Sequence, residues 1–158
     1  MAPASHAESG ALLFTAYNAG VQQMLDANDR GDNAITQKAN GSEFQKWAIA
    51  DPRVNGFKIR STAKDGKCLE APSDLSQPLR VADCADVPTQ RWSFVIEGDK
   101  TLIFRADFTG EVAGATEDNT PAPSKDVDLQ IKTGSNKQYW YISAPSEPTA
   151  APGFNCRP

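Results

Sequence analysis

Gln45-Lys46-Trp47, Gln90-Arg91-Trp92 and Gln138-Tyr139-Trp140 are three copies of one pattern, and they use all three tryptophans of the 158-residue chain. Each copy leads into a further apolar or alternating step, Ala48-Ile49, Ser93-Phe94 and Tyr141-Ile142. The tryptophans stand 45 and then 48 positions apart, which is the length of one supersecondary unit. A second marker runs in step with them. Met24-Leu25-Asp26-Ala27, Cys68-Leu69-Glu70-Ala71 and Val112-Ala113-Gly114-Ala115 lie 44 residues apart. Two independent markers of nearly one period make the chain a threefold repeat.

The stretches between the markers read as short strands. In the first repeat they are Leu12 to Tyr17, Val21 to Ala27, Ala34 to Ala39 and Phe44 to Ala50, with Asn18-Ala19-Gly20 as a turn and Asn28 to Asn33 as a loop. The second repeat has the same four beats: Gly56 to Thr62, Lys67 to Ala71, Leu79 to Asp83 and Gln90 to Ile96. The third runs from Asp99 to Ser143, and an insertion in its Thr116 to Lys125 loop accounts for the wider final tryptophan spacing. No stretch keeps a helical period. A single unit of four strands cannot bury its apolar face, but three can share an axial core and close without exposed edges. The expectation is an all-β fold, a β-trefoil of three four-stranded repeats with pseudo-threefold symmetry. The domain spans residues 11–144, with repeats at about 11–52, 53–98 and 99–144. Residues 1–10 read as a disordered leader, and residues 145–158, with four prolines and no periodicity, as a tail.

The composition, 39% apolar and 23% charged, is that of a soluble globular domain. A net charge of −4 argues against nucleic acid or an anionic membrane as partner. No apolar run approaches the roughly 20 residues needed to insert across a bilayer. Residues 1–10 lack the regions of a signal peptide, so the chain is either cytosolic or a mature sequence with a new initiator Met. His6 is the only histidine and lies in the leader, so no His-based catalytic set can form; the chain is read as no enzyme, with no cofactor and no metal. Asp26-x-Asn28 followed by Gly31 has the start of a calcium loop, but Arg30 and Gln37 stand where oxygen ligands are needed. Arg30-Gly31-Asp32 is read as a chance tripeptide, and Asn40-Gly41-Ser42 as an N-glycosylation acceptor in a secretory eukaryotic source.

The three Gln-x-Trp motifs, with the Gly66-Lys67-Cys68-Leu69-Glu70 to Cys84 block, give the chain its resemblance to the ricin B-chain type of lectin over roughly residues 11–144. The resemblance implies that Trp47, Trp92 and Trp140 pack in the core and that Gln45, Gln90 and Gln138 bond backbone, all as scaffold. It also implies a disulfide between Cys68 and Cys84. Closing that loop stabilises by on the order of 3 kcal/mol in the chain-entropy model. Such a bond points to an oxidising compartment and to secretion. Cys156 is left as a free thiol or an intermolecular link.

In the family each repeat can carry a shallow sugar pocket. An acid after the Cys-Leu pair binds hydroxyls, an aromatic residue on the third strand supports the ring, and an Asn precedes the Gln of Gln-x-Trp. No repeat is intact; the first is the least degraded and keeps the acid as Asp26 and the Gln as Gln45, with Asn28 and Asp29 on the adjoining loop. Its aromatic position falls on or beside Lys38, and Phe44 replaces the Asn, either as an apolar platform or as a core residue. The second repeat has Glu70, Ala82 and Thr89 in these places and reads as a weaker site. The third has Gly114, Gln130 and Lys137, which removes the acid. The resemblance therefore implies a carbohydrate-binding protein for glycans or glycoproteins, with its site in the first repeat. The alternative is a trefoil that has lost its sugar sites and binds a protein, as a toxin accessory subunit, protease inhibitor or effector.

Overall fold

The computed structural model describes residues 12–107, 110–116 and 124–144. The leader, the tail with Cys156, and most of the third-repeat loop lie outside the described residues. Among the described residues twelve strands form. The first repeat contributes β1 (Leu12–Asn18), β2 (Met24–Asp26), β3 (Ile35–Gln37) and β4 (Trp47–Arg53). The second gives β5 (Gly56–Ser61), β6 (Cys68–Glu70), β7 (Arg80–Ala82) and β8 (Trp92–Glu97). The third gives β9 (Lys100–Arg105), β10 (Glu111–Ala115), β11 (Lys125–Ile131) and β12 (Trp140–Ser143).

Antiparallel pairing runs β1 to β4, β4 to β5, β5 to β8, β8 to β9, β9 to β12 and β12 back to β1. That circuit is a closed six-stranded barrel. The remaining strands form three hairpins, β2–β3, β6–β7 and β10–β11, one per repeat. Together these make the β-trefoil. Alternate residues of β1 point inward, and Phe14 and Ala16 are buried there. The three tryptophans are fully buried in one core with Ile59, Ile103 and the hairpin residues Leu25, Leu69 and Ala113. Each indole N–H donates to a backbone carbonyl of its own repeat: Trp47 to Leu25 at 3.2 Å, Trp92 to Leu69 at 2.9 Å, and Trp140 to Ala113 at 3.1 Å. Those acceptors belong to the second repeating marker, so the two periodic motifs meet in space.

The hairpins join each other around the pseudo-threefold axis through a ring of backbone bonds. Ala34 N–H donates to Leu79 O (2.9 Å), Leu79 N–H to Val127 O (2.8 Å), and Val127 N–H back to Ala34 O (3.0 Å). All three residues are fully buried. Between repeats one and two, Arg91 is buried and donates to Asp51 O at 2.7 Å and to Asp51 Oδ2 at 2.8 Å. The hydrogen bond from Arg91 is the chief reason that the Asp51 carboxyl sits below its ordinary range, and Arg53 adds to it. Cys68 of β6 and Cys84 are joined by a disulfide.

Three local expectations are corrected. Glu43–Gln45, Pro88–Gln90 and Asn136–Gln138 are single 3-10 turns, so each repeat's last strand begins at its Trp and not at Phe44 or Gln90. The turn carries each Gln side chain back toward the preceding loop, where it finds backbone partners. Val21 to Ala27 is strand only over Met24–Asp26. Asn18 Oδ1 accepts from the amides of Gly20 and Val21, and Gln22 takes a φ of +60°, which together form a turn. The third strands are shortened in the same way, to Ile35–Gln37 and Arg80–Ala82.

Candidate functional site

The Gln of each Gln-x-Trp makes the same pair of backbone bonds. Gln45 Oε1 accepts from Asn40 N–H (3.0 Å) and its Nε2 donates to Lys38 O (3.0 Å). Gln90 does this with Ala85 (2.8 Å) and Asp83 (2.9 Å), and Gln138 with Thr133 (2.8 Å) and Ile131 (2.9 Å). What differs between repeats is the polar group placed beside that carboxamide.

In the first repeat it is Asp26, at the end of β2 and opposite Ile35. Asp26 Oδ2 accepts from Gln45 Nε2 at 3.0 Å, and Oδ1 accepts from the Asn28 amide at 2.7 Å. Only 5% of the residue is exposed. The loop that follows is held in several ways. Asn28 has a φ of +68°, accepts from Arg30 N–H (3.0 Å) and donates to Asn33 O (3.1 Å). Lys64, from the second repeat, donates to Asn28 O (2.9 Å) and to Gly31 O. Asp29 and Arg30 stand exposed on this loop, 4.0 Å apart. Lys38 is exposed beyond β3; the residue directly across from Met24 is Gln37. Phe44 is half-buried and packs against the central core. The structure thus brings Asp26, Asn28 and Gln45 together, with Asp29 and Lys38 at the periphery.

In the second repeat Glu70 is one methylene longer. Its Oε2 accepts from Thr89 Oγ1 at 3.1 Å, and it stands opposite Arg80 across the hairpin. In the third repeat Gly114 supplies no side chain, and the space is filled from the neighbouring strand. A Cβ on Gly114 would lie within 2.3 Å of Gln130 Oε1. That oxygen accepts from Gln138 Nε2 at 2.9 Å, the place that Asp26 takes in the first repeat, while Gln130 Nε2 donates to Ala115 O at 3.1 Å. The position beside the carboxamide therefore holds a carboxylate in the first repeat and a neutral carboxamide in the third, while in the second Glu70 bonds Thr89. Lys64 reaches a loop more than 30 residues away, and no local motif announces that contact or the filling role of Gln130. Among the described residues no group of three or more His, Cys, Asp or Glu could hold a metal.

The sequence profile of the ricin-type β-trefoil lectin domain matches residues 14–144. The chain belongs to that family. No curated protein sequence matches it. Among solved structures, a designed threefold-symmetric protein, ThreeFoil, is 16% identical with a TM-score of 0.73, over 82% of this chain and 96% of that one. A ricin B-like lectin from Macrolepiota procera, in complex with lactose, is 18% identical with a TM-score of 0.71, over 84% and 95%. A mosquitocidal holotoxin is 20% identical with a TM-score of 0.74 over 87% of this chain, which spans only 17% of the toxin chain. At these identities the likeness is one of fold. The family supports carbohydrate binding at its own level of generality.

Proposed function

We propose that the protein is a non-enzymatic, secreted lectin that binds glycans through a shallow pocket in the first repeat. The observation that supports it is the Asp26–Gln45 pair, the one pocket with its carboxylate held beside the Gln-x-Trp carboxamide. Each oxygen of Asp26 already accepts one hydrogen bond, and a carboxylate oxygen has capacity for a second. Two sugar hydroxyls donating there make charge-assisted bonds, stronger than neutral ones. Asn28 and Asp29 border the pocket on the loop side, with Lys38, Phe44 and Gln45 on the other. Glu70 would form a weaker second site. The internal bonds hold the acceptor in place before the ligand arrives, so little ordering cost falls on binding. A pocket that shows so little of its carboxylate binds weakly, and useful avidity comes from several sites at once. The Cys68–Cys84 bond supports an oxidising compartment.

The experiment is a glycan array on the folded chain with Asp26→Asn alongside. This change keeps the shape of the side chain while removing its charge. Glycan binding abolished by it, with an unchanged near-ultraviolet CD spectrum, is the expected result. Binding that survives it refutes the first-repeat site. No binding to any glycan turns the reading to a protein partner, for which the neutral third pocket is the supporting feature.

A further inference from the structure

Two Asn-Gly pairs occur in the chain, Asn40-Gly41 and Asn55-Gly56, and the fold holds them differently. Both asparagines are exposed. Gly41 lies in the loop between β3 and the 3-10 turn of the first repeat, with a φ of +72°, and a Cβ built on it would meet nothing within 4 Å. Its N–H donates to no described residue. Asn40 Oδ1 accepts from the Ser42 amide at 2.9 Å, which polarises the side-chain carbonyl, and Asn40 Nδ2 has no partner among the described residues. Gly56, by contrast, is the first residue of β5 and pairs with Arg53. Its carbonyl accepts from Arg91 Nη1 at 3.3 Å, and a Cβ there would lie 2.6 Å from Ala106 Cβ and 2.9 Å from Trp92 O.

We propose that Asn40-Gly41 is a site of spontaneous deamidation, and that the change reaches Gln45 and so the setting of the Asp26 carboxylate. The nitrogen of Gly41, deprotonated by hydroxide, attacks Cγ of Asn40. A C–N bond forms, the Cγ–Nδ2 bond breaks, and ammonia leaves with a proton from solvent. The resulting succinimide adds water at either carbonyl. One opening gives an aspartate side chain, and the other gives isoaspartate, in which the main chain runs through Cβ and Cγ. Gly41 favours the attack because it has no Cβ to obstruct its nitrogen, and nothing packs on it. At Asn55 the same ring closure has to wait for the β4–β5 hairpin to open, because Gly56 is fixed by pairing and packing. The consequence in the first repeat follows from one bond. Asn40 N–H donates to Gln45 Oε1 at 3.0 Å across a link of five residues, and Gln45 Nε2 in turn donates to Asp26. Isoaspartate adds a methylene to that link, removes the Oδ1 acceptor of Ser42 N–H, and brings a new carboxylate toward the Gln45 oxygen. The inference stands on loop geometry and does not depend on what the pocket binds.

The test incubates the full chain, with its disulfide intact and made in bacterial cells so that Asn40 carries no glycan, in warm, mildly alkaline buffer. Peptide mapping by mass spectrometry follows both sites through the replacement of NH2 by OH. In the folded chain Asn40 is expected to convert about tenfold faster than Asn55 or more, and in urea the two rates should come within about twofold, because only the fold separates them. Asn40→Gln should abolish the fast conversion, since the longer side chain would have to close a six-membered ring. Conversion at Asn55 as fast as at Asn40 in the folded chain overturns the site. A ratio that persists in urea overturns its structural cause. The isoaspartate product, separated by its added negative charge, should show a displaced NMR signal for the Gln45 side-chain amide, with those of Gln90 and Gln138 in place; an unmoved Gln45 signal overturns the link to Asp26.

Discussion

Replacing Gln45, Gln90 and Gln138 by Leu, one at a time, tests the geometry of the three pockets through stability alone. Leucine fills a similar volume, so the loss is mainly one of hydrogen bonds. Gln90→Leu removes two part-buried bonds to backbone groups of the preceding loop. At about 1 kcal/mol each, with partners that water can reach, the cost is about 2 kcal/mol. Gln138→Leu removes the same two, a neutral bond to Gln130 and a long one from Thr133 Oγ1 (3.4 Å), adding about 1 kcal/mol. Gln45→Leu instead loses the bond to the Asp26 carboxylate, which adds about 1.5–3 kcal/mol. The order of destabilisation is therefore Gln45, then Gln138, then Gln90. With a urea slope of about 2 kcal/mol per molar for a domain of this size, the extremes separate by about 1 M in midpoint. A double-mutant cycle between Asp26→Asn and Gln45→Leu should be non-additive. Equal midpoints for Gln45→Leu and Gln90→Leu, with an additive cycle, would refute the Asp26–Gln45 bond and with it the pre-set acceptor.

Asp128 and Lys64 carry two further predictions. Burial, with Asp126 nearby, pushes the Asp128 carboxyl above its ordinary value of 3.8, so ionisation costs more in the folded state than in the unfolded one. Asp128→Asn should raise the melting temperature at pH 7, and the gain should fade as pH falls to 3.8 and below, where wild-type Asp128 is protonated in both states; a gain that persists in acid refutes this. Lys64→Met should speed hydrogen exchange at the Arg30 amide about tenfold, as loss of roughly 1.4 kcal/mol of loop support implies, with core amides unchanged; equal exchange at Arg30 would show that the ammonium does not hold the loop.

The repeat, the strand number and the closure were legible because Trp is rare, large and obligatorily buried. Its spacing therefore reports the architecture directly. The turns before each Trp were not, since Phe44-Gln45 continues an alternating pattern that suits a strand equally well. What decides between them is the bond from each carboxamide to a carbonyl seven residues upstream, and that contact has no local sign. For the pockets, Asp26 could be found from the residues alone because it follows Met24-Leu25 as Glu70 follows Cys68-Leu69. The state of the third pocket could not. Gly114 indicates a missing acid, but only the pairing of Val112 with Gln130 shows which side chain moves into the space.

The buried ring of Ala34, Leu79 and Val127 constrains how the molecule can come apart. Each repeat lends a donor to one neighbour and an acceptor to the other, so none can keep its own hairpin satisfied in isolation. Removing any one unit strands a buried N–H and a buried C=O on the other two. The partners lie 45, 48 and 93 positions apart, so the ring cannot assemble piecemeal along the chain as a solenoid does. Folding must bring distant segments together before any of them is rewarded, which favours an all-or-none transition with a slow rate. The same closure is indifferent to where the polypeptide starts. Divergence among the three pockets can therefore proceed on the rim while the axis keeps its symmetry.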